Sequence, residues 1–211
     1  MTRISSHRIA VFAALAMSIA IVGGVIAPHG GAGDESDPAL GALTPLTAPE
    51  AEIVGEALAL FDGAGLTLGS TPAVSFHDDK ADCAGNLGFW VDESGLDRIR
   101  VCWTHEDPVV QTTLQTQALV HELAHAWAHR QVDGDDRAAF SAFVGAAGWE
   151  AHDAAWVDRG TEVAAELVTW AVLDPAVSFI DFDAEPCTDW AEAFELLTGA
   201  VAPTHVGSDC G

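Results

Sequence analysis

The chain has 211 residues, with 32 acidic side chains against eight Lys and Arg, and a net charge of −24 at pH 7. It offers no basic patch to neutralise phosphates, which excludes nucleic acid as a partner and disfavours adsorption to anionic lipid. Hydrophobic residues make up 49% of it, enough to close one real core.

The first 27 residues differ from the rest. Arg3 and Arg8 precede an uncharged run from Ile9 to Ala27, and all 32 acids follow it. A basic start and an apolar run read as a signal peptide. The run is also long enough for a retained anchor, giving membrane attachment through residues 9–27. Both readings place the remainder in an extracytoplasmic setting, secreted or tethered to the cell membrane. Residues 28–49 are rich in Gly, Pro, Ala and acids without period, and read as a flexible linker. Residues 50–211 are then expected to form a single domain.

Within that domain, Ile53, Ala57, Leu60 and Phe61 recur at helical spacing over 49–64. A short strand is expected over 73–77. GFWVD and RIRVCW then read as a hairpin joined at Ser94-Gly95. Four cysteines, Cys83, Cys102, Cys187 and Cys210, all lie beyond the apolar run, and none forms a C-x-x-C pair. Three disulfide pairings are open. Local spacing favours Cys83–Cys102 around the hairpin and Cys187–Cys210 near the end of the chain. A long helix follows over 111–130, entered through Thr104, Asp107 and Pro108. Asp133-Gly134-Asp135-Asp136 reads as a turn and 137–147 as a helix. Another helix is expected over 160–173, stopped by Asp174-Pro175, and a last one over 188–197, capped by Gly199. Few early strands and many later helices predict an α+β fold, with a small N-terminal antiparallel sheet or hairpin on a mainly helical body.

The long helix carries His121-Glu122-Leu123-Ala124-His125, the H-E-x-x-H pattern. Histidines four apart share a helical face and can reach one ion, while the Glu beside them can take a proton from metal-bound water. His129 lies one turn further, but a straight helix rotates it away from His121, so it reads as a surface histidine. Zinc needs a third protein ligand. Glu162, near the start of the 160–173 helix, is the preferred candidate, with Glu166 one turn later as its second-layer partner to a ligand histidine. The reverse assignment, Glu166 as ligand, stays open. Ala128 and Gln131 stand where a metzincin would have its Gly and third His. Trp149, Trp156 and Trp170 could line a pocket, with helical core packing the preferred reading.

HELAH on one helix followed by G-x-E-x-x-A-E from Gly160 to Glu166 resembles the gluzincin metallopeptidases, with Glu166 where an Asp is usual. Over residues 72–210 the chain is similar to small exported metallopeptidases of actinobacteria. They share the cysteine-stapled hairpin, the R-G-x-E-x-x-A segment and a tail seen here in Cys187, Ala193-Phe194, Leu196 to Gly199, Pro203 and Cys210. The resemblance implies a zincin-like domain with one Zn2+ per chain held by His121, His125 and Glu162. It implies hydrolysis of a peptide or protein substrate, with Glu122 as general base. The thermolysin-like oxyanion donors include a Tyr, and this chain has none. His152 and Arg159 are the candidates for that part. The RIRVCW strand would offer an edge to an extended peptide. A non-catalytic zinc-containing binding or structural module of the cell envelope is the alternative, and a metal-free adhesive domain a third.

Overall fold

The computed structural model describes residues 45–93, 96–173, 189–203 and 206. Helix α1 spans Ala48–Gly63, entered at Thr47, whose N–H and hydroxyl both donate to the Glu50 carboxylate. It buries Ile53, Ala57 and Phe61, the apolar stripe that the sequence periodicity marks. Strands β1 (Ala73–Phe76), β2 (Gly88–Glu93) and β3 (Leu96–Val101) follow, with a 3-10 turn at Lys80–Cys83 between the first two.

These strands form one sheet in the order β1-β3-β2. β2 and β3 are antiparallel, with Trp90 opposite Ile99, as hairpin grammar requires. β1, however, lies parallel to β3, with Val74 opposite Ile99, so the sheet is mixed rather than antiparallel. The expected hairpin turn, Ser94-Gly95, lies outside the described residues. The disulfide Cys83–Cys102 ties the 3-10 turn to the end of β3. His77 works on the same corner, joining Ser75 Oγ (2.9 Å) to Asp82 Oδ2 (3.2 Å) just after β1. Cys187 and Cys210 lie outside the described residues.

Helix α2, Pro108–Gln131, is the central beam, and α1, α4, β2 and β3 all pack on it. Asp107 caps it by accepting from Val109 N and Val110 N, a device worth about 1 kcal/mol, and Pro108 occupies its first turn. At the other end, Arg137 donates to the carbonyls of Val132, Ala128 and His129, bracing the last turn, where carbonyls run out of intrahelical donors. Arg130 anchors the same end, donating to Leu68 O and Ser70 O and pairing with Asp97.

Helix α3 runs from Gly134 to Phe143, earlier than the sequence suggests. The acidic turn is its first turn: Asp133 accepts from Asp135 N and Asp136 N, and acids there complement the helix dipole. Helices α4 (Gly160–Val172) and α5 (Trp190–Thr198) follow. Gly199, at φ +68°, ends α5 in the left-handed region that a side chain disfavours. The core runs through Phe61, Ile99, Leu119, Leu123, Phe140, Leu167 and Phe194, joining α1, the sheet and the four other helices. The architecture is a small mixed sheet on a mainly helical body, an α+β fold.

One expectation needs correction. No helix among the described residues is long and apolar enough to cross a membrane. The signal, membrane-attached and extracytoplasmic readings find no support among the described residues and are withdrawn; the run from Ile9 to Ala27 that prompted them lies outside those residues. Nor do the described residues identify a protein or peptide partner.

Candidate metal centre

His121 and His125 stand one turn apart on α2, and α4 brings Glu162 to them from its first turn. An acidic residue is favoured there by the positive end of the helix dipole. No side chain caps α4. Its leading N–H groups are bonded to the preceding loop instead, Gly160 N to Gly148 O at 2.8 Å and Thr161 N to Trp149 O at 3.0 Å. That docking is why residue 160 is a glycine. A Cβ there would lie 2.4 Å from Ser141 Oγ and 3.1 Å from the Trp149 Cα.

Three donor atoms converge. His121 Nε2 lies 3.1 Å from His125 Nε2 and 3.3 Å from Glu162 Oε2, and His125 Nε2 lies 3.2 Å from the same oxygen. Tetrahedral ligands about 2.0–2.1 Å from a zinc ion stand roughly 3.3 Å from one another, so this triangle has the size of three corners of a zinc tetrahedron. The side chains are largely buried, 13% exposed at His121, 12% at His125 and 16% at Glu162. The trio can hold a metal ion.

The far sides of both rings support that use. Glu166, 2% exposed, places Oε1 3.0 Å from His121 Nδ1. Thr161 Oγ1 stands 3.3 Å from His125 Nδ1. With the Nδ1 atoms facing these oxygens, both Nε2 lone pairs turn toward Glu162, an arrangement that a cation stabilises.

The electrostatics demand positive charge. Burial alone would lower the His121 pKa, but hydrogen bonds to Glu162 and Glu166 and the nearby Glu122 charge outweigh it and raise it to about 10. Burial would raise that of Glu162, yet its bonds to His121 and His125 hold it well below the usual carboxylate range. A divalent cation answers the same demand as a proton.

Glu122 faces β2 instead. It is 7% exposed, and its carboxylate accepts from the Trp90 backbone N–H. Burial raises its proton affinity, opposed by His121 and His125. Gly88 makes room for it: a Cβ there would lie 2.5 Å from Glu122 Oε1. Cys102 N bonds to Leu87 O, so the alternation of an antiparallel pair turns the peptide groups of Gly88, Trp90 and Asp92 to the outer edge of β2. The RIRVCW strand cannot offer an edge, because β3 is paired on both sides. The edge beside Glu122 belongs to β2.

The remaining sequence candidates are placed differently. His152 is exposed on the loop before α4, and its carbonyl accepts from Arg159 at 3.4 Å. The Arg159 guanidinium is turned onto that loop, donating to Ala154 O at 3.2 and 3.3 Å, so it braces backbone rather than joining the triad. His129 is 47% exposed, 3.6 Å from Asp92 and beside the Trp90 ring. Sequence reasoning missed Gly88, Trp90 and Thr161, and for Trp156 it preferred core packing to pocket lining, whereas that indole stacks on the His121 ring with centroids 5.9 Å apart. Thr161 was the most accessible of these, since it directly precedes Glu162. Nothing in the local sequence marks Gly88 as a neighbour of Glu122.

Comparisons of the chain with protein-family profiles, curated proteins and solved structures return no match.

Proposed function

We propose that the chain is a zinc-dependent hydrolase of peptide bonds, of the gluzincin type. The observation that carries this reading is the juxtaposition of a zinc-sized triangle of His121, His125 and Glu162 with the buried carboxylate of Glu122, the next residue on the same helix. Zinc retention alone does not require a carboxylate at that position.

In this reading His121, His125 and Glu162 hold the ion, and Glu166 and Thr161 orient the two imidazoles. Zinc, when bound, would polarise a carbonyl and lower the pKa of water. Glu122 takes a proton from the attacking water and returns it to the departing amine. Its environment suits both halves of the task, since burial raises its proton affinity while the neighbouring histidines oppose the rise. Gly88 and the Trp90 N–H fix where that carboxylate stands.

The test is Glu122→Gln. The amide fills the same space but cannot accept the proton, so zinc content should be unchanged while cleavage of a mixed peptide library falls by about 10²–10⁴-fold. Elemental analysis and mass-spectrometric product mapping read both quantities. Wild-type protein that binds one zinc and cleaves nothing would favour a metal-containing binding module.

A further inference from the structure

Residues 149–159 form a closed loop beside the metal centre. Its ends are pinned by Gly160 N to Gly148 O (2.8 Å), Ala147 N to Asp158 O (2.9 Å) and Thr161 N to Trp149 O (3.0 Å). Arg159 crosses its interior to the carbonyls of Ala154 and His152. A short loop stitched at its base and braced within is a compact Ω-like element, which holds its side chains in place. At Trp156–Asp158 it makes a 3-10 turn. There the Trp156 indole lies nearly parallel to the His121 imidazole, with 23° between the planes.

Trp156 remains 36% exposed, and its neighbour Val157 is 46% exposed. Two large apolar side chains held in water by a braced loop, one of them stacked on a candidate ligand, are poorly explained as core. We infer that Trp156 and Val157 form the apolar wall of a substrate subsite beside the metal centre, accepting an aromatic or large aliphatic side chain next to the bond that is cut. The inference rests on the hydrolase reading above.

The wall's own chemistry selects apolar over basic side chains. The loop carries the exposed acids Glu150, Asp153 and Asp158, which alone would attract a cation. Against Val157 and the indole, however, a cationic head gives up hydration that the apolar surface does not replace. A neutral ring or branched chain gains the contact without that cost.

The test uses the full chain loaded with zinc and two small zinc-binding probes, acetohydroxamate and benzohydroxamate, which differ by an apolar ring. Calorimetry should show wild type preferring the benzo compound by about tenfold more than Trp156→Ala does, with metal content equal in both. Val157→Ser, a milder change, should lower the same preference by a smaller factor. In a peptide library the wild type should favour Phe or Leu over Ala beside the cleaved bond, and Trp156→Ala should flatten that preference. An aromatic preference among the probes without peptide cleavage would sink the hydrolase reading and leave the wall standing. Cleavage whose preference both variants leave unchanged would sink the wall alone. Loss of zinc from Trp156→Ala would make Trp156 a positioning residue for His121, and a library preference for Arg or Lys would show that the loop acids, not the apolar wall, select the side chain. Either result overturns the inference.

Discussion

Helix α2 packs against both α4 and the edge strand β2, and each seam buries carboxylates in its own way. At the α4 seam, Glu162 and Glu166 face the two histidines, so charge is answered by charge and each position is set by another side chain. At the β2 seam, Glu122 meets a peptide N–H and a glycine, so its position is set by backbone and by the side chain that Gly88 lacks. The consequences for protonation differ accordingly. The histidines hold Glu162 ionised, as a ligand must be, whereas burial makes Glu122 more ready to take up a proton. The two seams of one helix thus hold a fixed ionised carboxylate on one side and a proton-accepting group on the other.

The contrast breaks most directly at the α4 seam. Glu162→Gln should lower zinc affinity by about a hundredfold or more, since it removes a charged ligand rather than a supporting contact. His129→Ala should leave zinc content unchanged, because that histidine faces Asp92 and Trp90. Equal losses in the two variants would mean that the third ligand is another residue. Glu166→Gln tests the supporting layer, with an expected loss of roughly 10–100-fold in chelator competition. An unchanged affinity would show that the 3.0 Å contact to His121 is incidental.

The two seams also differ in how much of them the sequence discloses. The α4 seam is legible because helical period is local. Four-residue spacing pairs His121 with His125 and Glu162 with Glu166, and only the meeting of two helices is left to tertiary structure. The β2 seam depends on a strand lying across a helix more than thirty residues away in sequence, which no local pattern encodes. The sheet repeats the lesson. β2 and β3 follow from hairpin grammar, but the parallel pairing of β1 with β3 is non-local, and with it the fact that β3 is central and β2 the edge. The early start of α3 was readable in principle, since Asp133 caps two N–H groups that the turn reading left unaccounted for.

Gly88→Ala probes the β2 seam. Its new Cβ would stand 2.5 Å from Glu122 Oε1 and 2.8 Å from Cγ, so the carboxylate must move. A misplacement of about 1 Å in a catalytic group costs on the order of a hundredfold, and peptide hydrolysis should fall by about ten- to a hundredfold with zinc retained. Zinc loss of the same size would show that the two seams are not independent.

The smallest effect is expected at His152. If the loop before α4 only presents Trp156 and is held by Arg159, then the exposed His152 ring has no part in turnover. What the loop uses from this residue is its backbone carbonyl, which His152→Ala keeps. The variant should therefore stay within about threefold of wild type in kcat/KM at every pH, well short of the 10²–10³-fold that removal of an oxyanion donor costs. Steady-state cleavage of one library-derived peptide, measured from pH 5 to 9, decides it. A hundredfold fall in kcat with KM unchanged would mean that the loop delivers His152 to the reacting carbonyl. The centre would then draw on three surfaces, α4, β2 and the loop, rather than the two that the described geometry joins.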